Sequence, residues 1–435
     1  MAFWKENKIF EKTLEKKSPK GEFIFYEGPP TANGHPGIHH LEARAFKDAI
    51  PRYKTMQGYH VRRKGGWDTH GLPVELQVEK ELGLKSKKEI EEYGLGKFNE
   101  KCKESVWKYV HEWEDFTDRM GYWVDLKDPY VTYHSNYIES LWNIVKTIDE
   151  KKLLYKDYKV VPWCPRCGTA LSSHELAQGY EDVKDLAVTV KFKIKSQKSK
   201  LKVKSGEVSD YVPVYLLAWT TTPWTLPGNV GLAVGKDIEY LAIELENGFS
   251  ENGVELSSGS YIVSKVALTH HLLHDKGKND VNLFENILTS KGLNWLEGVE
   301  AEKPTHIQII KGSDLVGLEY EPLFPYLKEN TPDSEKDKLK NAYKVYAADF
   351  VNTEDGTGIV HTAVMYGQDD FELGTAVGLP KVHLVNEDGT FKKDMGYLSG
   401  RFVKEKDEKG KPTLDVEIIE DLKKRNLFFA QESYK

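Results

Sequence analysis

The chain has 435 residues, more than one hydrophobic core usually organises, so its length predicts two or three domains. A formal net charge of −7 excludes a strongly basic chain, so any nucleic-acid surface must be a local patch. Only three cysteines occur, no apolar run reaches the ~18 residues of a membrane span, and the charged N-terminus lacks the apolar core of a secretory signal. We therefore expect a cytoplasmic protein with no membrane partner.

The chain opens with a predicted strand, a loop rich in Gly, Pro and Asn, and a predicted helix. Residues 1–20 are typical of a short helical arm, and the apolar run Phe23–Phe25 predicts a short buried strand. Helical spacing of apolar residues begins near Ile38, and we expect Pro51 to kink or end that helix. This order of elements places a flexible loop directly before a helix N-terminus.

The start of this helix is a candidate phosphate site. Free backbone N–H groups and the helix dipole favour an anion there, and the imidazoles that follow Gly37, on His39 and His40, can donate hydrogen bonds to phosphate oxygens. An ordinary connection with solvent-exposed histidines explains the Gly and Pro content equally well. The loop alone therefore does not decide between the two interpretations.

A second strand is predicted over Gly58–Arg63, and it runs into the loop Gly65–Pro73. Strand, helix and strand form one crossover unit, whose right-handed connection would make the strands parallel. Open α/β sheets place ligand groups at the carboxyl ends of such strands. Asp68 in this loop could hold a substrate ammonium group, although capping its own turn is the commoner role of such a residue.

Residues 74–155 are predicted to be mostly helical and carry many aromatic side chains. Cys102 lies in this part and is expected to be a buried or inert thiol. We interpret the aromatic residues as core and packing residues rather than as a cofactor site: Trp107, Tyr109, Trp113, Phe116, Tyr122, Trp123 and Trp142.

Cys164 and Cys167 form a Cys-x-x-Cys turn with Pro and Gly, which is half of a tetrahedral zinc site. Zinc requires four ligands, and His174 could supply a third, but the sequence contains no second Cys pair. Either residues absent from this chain complete a Zn²⁺ site, or the pair is a reduced dithiol. We favour the first interpretation.

From about Asp185 the pattern changes to alternating apolar and polar residues, which indicates a β-rich domain inserted after a helical α/β half. The boundary is expected near residues 180–185. A solvated hairpin is predicted at Lys195–Ser205, and helices at Asn279–Trp295 and Asp333–Ala342. The predicted strands are Ala187–Ile194, Val212–Trp219, Gly231–Val234, Tyr240–Glu244, Tyr261–Val266 and Thr305–Ile310.

Two stretches of this domain carry chemistry. Trp219–Asn229 contains four threonines and two prolines, and Gly356–Ala363 is followed by Gly367–Asp370. Hydroxyls, an amide, an imidazole and a carboxylate suit a small hydrolytic pocket that positions water, handles protons and holds an ammonium group. No Ser or Cys nucleophile is evident, which favours activated water. Each stretch alone is equally consistent with a turn supported by local threonine bonds.

Together these residues resemble the class I aminoacyl-tRNA synthetases of the branched-chain group, and most of all their isoleucyl branch. The resemblance extends over essentially the whole chain. It rests on Tyr26–Gly34, which is similar to the family's opening strand and loop, and on Gly65–Glu75, which resembles the isoleucyl form of the next motif. Trp219–Asn229 and the stretch around His361 and Asp370 resemble the family's inserted editing domain.

The resemblance implies an α/β fold. Residues 1–183 would be the first part of a Rossmann-like catalytic domain with helical and zinc-knuckle insertions. Residues 184–435 would be an inserted, β-barrel-like editing domain with a return segment. A monomer is expected.

The resemblance also implies ATP-dependent activation of isoleucine to its adenylate, with Mg²⁺ balancing charge, and transfer to tRNA(Ile). Gly37, His39, His40 and Asp68 would be the catalytic residues. The residues implied to bind ATP are Gly28, Pro29, Pro30, Gly34, Gly37, His39 and His40. Those implied to bind the amino acid are Pro29, Trp67 and Asp68, with Asp68 on the ammonium group.

In the second domain the resemblance implies hydrolytic editing of valine mischarged onto tRNA(Ile). Asp370 would bind the ammonium group of valine, and His361 would line the side-chain pocket and limit its size. The ester and the water would be positioned by the threonine loop, through Thr221, Thr222, Thr225 and Asn229.

Three departures from the family pattern matter. The family's nucleotide motif is His-x-Gly-His, whereas Gly37–His40 reads Gly-Ile-His-His, so an imidazole at His39 should reshape the adenine pocket. We hypothesise an active enzyme that excludes inhibitors mimicking the adenylate, a form of antibiotic resistance; a catalytically weakened paralogue is the alternative. Val364 occupies a position where many relatives have Pro, so the shape of the loop beside His361 is expected to differ from the family pattern.

The third departure is that no residues follow Lys435. The family's second catalytic half, its Lys-Met-Ser-Lys-Ser-type loop, its second Cys pair and its anticodon-binding helices are expected beyond that point. The 435 residues alone are therefore not expected to activate isoleucine. Three other interpretations remain: a valyl- or leucyl-type synthetase, a non-catalytic tRNA- or zinc-binding module, and a stand-alone editing hydrolase.

Overall fold

The computed structural model divides the chain into two compact units, Met1–Tyr158 (unit 1) and Lys159–Lys435 (unit 2). It describes residues 1–177, 179–195, 213–245, 249–251, 254–268, 307–354 and 356–434. The predicted helix Asn279–Trp295, and all of the predicted hairpin after Lys195, lie outside the described residues. The predicted domain limit at residues 183 and 184 falls inside unit 2 and stays a prediction.

Unit 1 is mainly helical, and the predicted N-terminal arm forms its first two helices. The helices are α1 (Ala2–Glu6), α2 (Ile9–Glu15), α3 (Ile38–Met56), α4 (Leu72–Leu82), α5 (Lys87–Tyr93), α6 (Leu95–Trp107), α7 (Val110–Met120) and α8 (Ser135–Glu150). None of the described helices in either unit is both long and apolar enough to cross a membrane.

Helix α3 begins where the sequence predicts but does not end at Pro51. The Pro51 carbonyl accepts bonds from Thr55 Oγ1 at 2.8 Å and from Arg63 Nη2 at 3.1 Å. Arg63 also donates to Thr55 Oγ1 at 2.6 Å, and burial lowers the pKa of its guanidinium to about 10. These hydrogen bonds hold the last turns of α3 in place beyond the proline.

The strands of unit 1 correct two predictions. Phe23–Phe25 is not a buried strand: Ile24 is 73% exposed, and the segment pairs only through a parallel bridge between Glu22 and His60. The second strand is β1 (Lys64–Trp67), which begins where Gly58–Arg63 was expected to end.

The shift of β1 has a local cause. Arg63 has φ 53°, a left-handed conformation that interrupts an extended chain. β1 pairs in parallel with β2 (Asp125–Val131), a strand the sequence analysis missed, and a parallel bridge joins Thr31 to Asp68. The predicted unit is parallel only at these single bridges, because its first segment forms no strand, and Gly65–Trp67 lie in a strand rather than in a loop.

Cations packed on aromatic rings fasten α3 to α7. The Arg44 guanidinium lies 5.0 Å from the Trp113 ring and 5.4 Å from the Tyr122 ring, and it donates to Thr117 Oγ1 at 2.6 Å. Trp113 and Tyr122 are buried, as predicted, but Trp142 is 67% exposed, so its interpretation as a core residue is wrong. Trp142 lies on α8, whose residues are all exposed, because the rest of the described chain covers little of that helix.

Unit 2 is built on one mixed sheet. Six of its strands agree with the predicted positions to within a few residues, whereas Lys344–Ala347, Ile359–Thr362 and Phe428–Tyr434 were not predicted as strands. In its described part the spatial order is β12-β8-β11-β6-β14-β7-β13, with β5 beside β6 and β15 beside β5. The bounds are β5 Asp185–Lys193, β6 Val214–Thr220, β7 Gly231–Val234, β8 Glu239–Leu245, β11 Gly259–Ser264, β12 Ile307–Lys311, β13 Lys344–Ala347, β14 Ile359–Thr362 and β15 Phe428–Tyr434. Two short pairs lie outside this sheet: β3 Trp163–Cys164 with β4 Thr169–Ala170, and β9 Phe249–Glu251 with β10 Val254–Leu256.

One continuous apolar core lies against this sheet, lined by strand residues such as Val190 and Leu232 and by Ile418 of the last helix. The predicted helix Asp333–Ala342 forms as a 3₁₀ helix, Asp333–Asn341. The other helical segments are α9 Ser173–Ala177, α10 Gly312–Leu315, α11 Tyr326–Glu329, α12 Gln368–Val377, α13 Leu414–Lys424 and the 3₁₀ turns Pro223–Gly228 and Gly396–Leu398.

Candidate functional site

The threonine loop and the His361 stretch meet because of strand order. β6 and β14 are parallel neighbours, with Val360 opposite Trp219, so the residues that follow each strand emerge at the same edge of the sheet. β14 also pairs antiparallel with β7, which places His361 opposite Leu232. The loop between β6 and β7 therefore begins and ends beside His361.

A hydrogen-bonded cluster fills this edge. His361 Nε2 lies 2.8 Å from Thr225 Oγ1, and His361 Nδ1 lies 3.2 Å from Asn229 Nδ2. Thr222 Oγ1 lies 3.1 Å from Thr225 Oγ1. Thr225, Asn229 and His361 are buried, whereas Thr222 is half-buried and forms the accessible end of the cluster. The structure thus brings together four of the six predicted editing residues.

His361 is held as a neutral ring with both nitrogens engaged. Burial lowers the pKa of His361 to about 4, so the imidazole is uncharged at neutral pH. A general base needs a pKa near the working pH and a nitrogen turned to the substrate. His361 is therefore suited to positioning Thr225 rather than to taking a proton from water.

Asp370 joins the same edge from the first turn of α12. Its Oδ2 accepts the Ala363 N–H at 3.1 Å, which ties it to the residue just after β14. Burial raises the pKa of Asp370 to about 6, against the opposing effect of that hydrogen bond. A half-buried carboxylate of this kind suits an ammonium ligand, whose charge would restore the ionised form.

Beside this cluster, one predicted residue contributes its backbone rather than its side chain, and one further residue was not predicted. Thr221 contributes its backbone carbonyl, which accepts the Tyr434 hydroxyl at 3.0 Å, while Thr220 Oγ1 lies 3.2 Å from Thr222 Oγ1. Tyr320 was missed, although its hydroxyl donates to Asn229 Oδ1 at 2.7 Å. No local pattern marks it among 23 tyrosines.

In unit 1 the loop before α3 is fixed by bonds from distant elements. The carbonyl of Gly28 accepts from Lys47 Nζ at 3.0 Å, and that of Pro30 accepts the Asp68 N–H at 3.1 Å. The carbonyl of Gly34 accepts from Trp113 Nε1 at 2.8 Å. Pro29 lies between the first two anchors, so the predicted ATP loop and Asp68 are adjacent.

Glu27 is a second residue that sequence reasoning missed. It is buried directly before this loop, where its Oε1 accepts from Lys47 Nζ at 3.0 Å and its Oε2 accepts the Tyr122 hydroxyl. Its backbone carbonyl accepts from Tyr130. A glutamate in a Gly- and Pro-rich stretch carries no sequence signal of burial, because its partners come from α3 and from residues 122 and 130.

At the start of α3 the His40 ring accepts a hydrogen bond from the backbone of Gly37. The Gly37 N–H donates to His40 Nδ1 at 2.9 Å, and the His39 and His40 rings lie 3.8 Å apart between centroids. A Cβ at Gly37 would approach His39 Cε1 to 2.8 Å, so a side chain at residue 37 would make the exposed His39 ring turn aside. Burial, first of all, lowers the pKa of His40.

Asp68 and Trp67 occupy the end of β1. Asp68 is half-buried, and its Oδ1 accepts the His70 N–H at 3.2 Å, the turn-capping contact that was the commoner alternative. Trp67 is 2% exposed and packs in a small cluster with Ala32, Trp113 and Val131. Contact of either residue with an amino-acid ligand stays a prediction.

Cys164 and Cys167 face each other across the β3–β4 turn. The Cys167 N–H donates to Cys164 Sγ at 3.4 Å, and burial is the main cause that raises the pKa of the Cys167 thiol. Among the described residues there is no group of three or more His, Cys, Asp or Glu side chains that could hold a metal. The His174 side chain lies outside that part, so these residues fit at most half of a zinc site.

Comparison with known proteins places this chain among one set of relatives. A family model described as tRNA synthetases class I (I, L, M and V) matches residues 1–369. The isoleucine–tRNA ligase of Clostridium acetobutylicum is 43% identical over 434 residues, which are 100% of this chain and 35% of that protein. That of Clostridium novyi is 43% identical over 99% of this chain and 35% of its own length.

The isoleucine–tRNA ligase of Cytophaga hutchinsonii is 44% identical over 93% of this chain and 34% of its own length. The chain thus spans about a third of the length of the curated relatives it matches. A solved structure titled "The crystal structure of GlLeuRS-CP1" covers 57% of this chain and 99% of its own at 15% identity, with a TM-score of 0.34.

Proposed function

Because the chain belongs to the class I tRNA synthetases of the isoleucine, leucine, methionine and valine group, we propose that it is part of an isoleucine–tRNA ligase with hydrolytic editing. The identity of 43% to isoleucine–tRNA ligases over the whole chain supports the choice of amino acid. The observation that carries the editing assignment is the cluster in which His361 lies between Thr225 and Asn229, with Asp370 at the same strand end.

The editing reaction that we propose is hydrolysis of valyl-tRNA(Ile). Water adds to the ester carbonyl, the tetrahedral intermediate collapses, and valine and the free 3′-terminal hydroxyl of the tRNA leave. Asp370 would hold the ammonium group of valine, and the Thr222 hydroxyl would hold the water or the ester at the accessible end of the cluster. His361 would orient Thr225 through their hydrogen bond, and its ring would limit the space for an amino-acid side chain larger than that of valine.

A second site is needed because isoleucine and valine differ by one methylene. Such a difference is worth only ~1–3 kcal/mol in a pocket, a general figure for enzymes of this class rather than one obtained from this chain. A smaller hydrolytic pocket that admits valine and rejects isoleucine would supply the missing discrimination.

The direct test is deacylation of valyl-tRNA(Ile) by the 435-residue chain. We expect wild type to hydrolyse valyl-tRNA(Ile) faster than isoleucyl-tRNA(Ile), and Asp370→Asn to lose that activity. Asp369→Asn is the matched control, since Asp369 is the exposed neighbour on the same turn. Equal rates for wild type and Asp370→Asn would favour the non-catalytic module, and preference for another aminoacyl ester would favour a valyl- or leucyl-type enzyme.

For the complete protein we propose ATP-dependent formation of isoleucyl-adenylate and transfer to tRNA(Ile), with ATP bound at the loop Gly28–His40 and Mg²⁺ balancing its charge. The bonds that fix this loop beside Asp68 support the proposal. Amino-acid-dependent pyrophosphate exchange tests it: isoleucine should support exchange and valine much less. A cytoplasmic monomer is part of the same proposal.

We also propose that the exchanged glycine and histidine reshape the nucleotide pocket and exclude inhibitors that mimic the adenylate. A Cβ at residue 37 would make the exposed His39 ring turn aside, and the double exchange Gly37→His/His39→Gly removes that ring from the start of the helix. The double exchange should therefore retain pyrophosphate exchange in the complete protein and bind such inhibitors more tightly. Unchanged inhibitor affinity would contradict the proposal.

Zinc has the weakest support among the proposed ligands. Cys164 and Cys167 could supply two thiolates, and the described residues supply no further pair, so no catalytic step is assigned to zinc. Metal analysis of the complete protein, with Cys164→Ser as the comparison, tests whether a site is completed.

A further inference from the structure

Tyr320 lies beneath the threonine cluster and belongs to none of the motifs that define the site. Its side chain is fully buried, and its ring packs edge-on against Phe192 and Tyr343 at centroid distances of 5.2 and 6.1 Å. This packing fixes the position of the hydroxyl, which donates to Asn229 Oδ1 at 2.7 Å. Burial also raises the pKa of Tyr320 well above its usual value, so the phenol keeps its proton.

The Asn229 amide has one orientation only. Its Nδ2 lies 3.0 Å from the carbonyl oxygen of Gly231, which can only accept a hydrogen bond, so the amide nitrogen must face that oxygen. The amide oxygen then faces Tyr320, and the second N–H of Asn229 is directed to His361 Nδ1 at 3.2 Å.

The orientation of Asn229 determines where His361 carries its proton. Because Nδ1 accepts from Asn229, a neutral ring has its hydrogen on Nε2, from which it donates to Thr225 Oγ1. Thr225 in turn donates its own hydrogen to the backbone carbonyl of Thr222 at 2.8 Å. The remaining lone pair of Thr225 can accept the Thr222 hydroxyl, which leaves an oxygen lone pair of Thr222 for a ligand or water.

We propose that Tyr320 is a positioning residue of the hydrolytic site, which holds Asn229 against His361 and so supports the hydrogen bonds that lead out to Thr222. The inference rests on the proposed editing function. Without the Tyr320 donor, the buried Asn229 oxygen loses its partner and the side chain is held only at the Gly231 carbonyl, so its N–H is no longer kept in place at His361 Nδ1. The His361 ring is then held only through Nε2, so it can turn away from Thr225 or take its hydrogen on Nδ1, and the order of hydrogen bonds at Thr225 and Thr222 is lost.

Tyr320→Phe tests this, with Tyr261→Phe as the matched control. Tyr261 is also buried, in the separate apolar cluster of the same sheet, and its hydroxyl donates to the Ser257 backbone carbonyl at 2.9 Å. In the 435-residue chain we expect Tyr320→Phe to lower kcat for valyl-tRNA(Ile) hydrolysis about tenfold with little change in KM, as for loss of one orienting hydrogen bond. Tyr261→Phe should leave both constants near wild type.

A double-mutant cycle with Asn229→Ala separates positioning from general stability. If Tyr320 acts through Asn229, the effect of Tyr320→Phe disappears in the Asn229→Ala background. An additive effect, or a wild-type kcat for Tyr320→Phe, would overturn the proposal. If Tyr320→Phe does not fold, Asn229→Asp replaces it, since a carboxylate there cannot donate to His361 and should move the ring hydrogen to Nδ1.

A spectroscopic measurement does not depend on activity. Nitrogen-15 NMR of the ring of His361, assigned by loss of its signals in His361→Gln, should show hydrogen on Nε2 in wild type and a mixed or reversed state in Tyr320→Phe. Unchanged ring signals in Tyr320→Phe would contradict the proposal even if the chain hydrolyses no aminoacyl-tRNA. Absence of hydrolysis together with the expected ring shift would instead count against the editing function alone.

Discussion

The candidate sites of the two units are held in place by different interactions. In unit 2 the threonine cluster rests on one continuous apolar core, to which Leu226 of its own loop contributes. In unit 1 the buried apolar clusters are small, and the candidate ATP loop is held by polar anchors such as the Glu27–Lys47 pair and by Arg44 on its aromatic partners. The site in unit 2 therefore depends on the apolar core as a whole, whereas the loop in unit 1 depends on each polar anchor.

The largest expected effect is in unit 1. Glu27→Gln removes the charge from a buried side chain whose partners are Lys47 and Tyr122, and we expect a loss of about 2–4 kcal/mol in the local stability of the loop and of α3. Hydrogen exchange of peptides from α3 measures this loss. Glu11→Gln, which breaks an exposed pair with Lys127, should change protection by less than about 0.5 kcal/mol. Equal effects of the two variants would mean that the buried pair is not an anchor.

The second prediction concerns the effect of His361 on the stability of unit 2 at low pH. Its folded pKa of about 4 lies below the usual value of 6.5, so the folded state binds fewer protons and unit 2 loses stability as pH falls from about 6.5 towards 4. Relative to His361→Gln, wild type should lose about 2 kcal/mol between pH 8 and pH 5 in urea unfolding. His111→Gln, at an exposed position, is the control, and parallel curves for wild type and His361→Gln would contradict the prediction.

The third prediction has the opposite sign. The folded pKa of Asp370, about 6, lies above the usual 3.8, so the ionised carboxylate destabilises the folded state above pH 6 and the penalty vanishes below about pH 4. Asp370→Asn should therefore stabilise unit 2 by about 1–2 kcal/mol at pH 8 and hardly at all at pH 4. Urea unfolding at the two values of pH measures this. A loss of stability at pH 8 would show that the carboxylate supports the fold rather than a ligand.

The smallest effect is expected on α8. Trp142 is 67% exposed, so Trp142→Gln should change the stability of the chain by less than about 0.5 kcal/mol. The buried counterpart, Trp113→Leu, should cost several kcal/mol, because it removes the ring under Arg44 and the donor to the Gly34 carbonyl. Comparable losses for both variants in thermal unfolding would contradict the burial difference.

Sequence reasoning succeeded where one periodicity dominates. Six strands of unit 2 were predicted to within a few residues from their apolar runs, as was the start of α3 at Ile38, whereas three further strands of the sheet were missed. It failed at Phe23–Phe25 and at Gly58–Arg63, because strand formation there depends on neighbours and on the left-handed Arg63. Apolar composition cannot reveal whether a partner strand is present.

The sequence by itself determined the family, six strands of the inserted sheet and the residue types of both candidate sites. Only the tertiary structure decided which of those residues meet, because β6 and β14 are neighbours that lie far apart along the chain. It also decided that His361 is neutral and fully engaged, and that Tyr320 reaches the site through Asn229. Burial and hydrogen-bond direction depend on what surrounds a side chain in space, and a local sequence pattern carries no record of those surroundings.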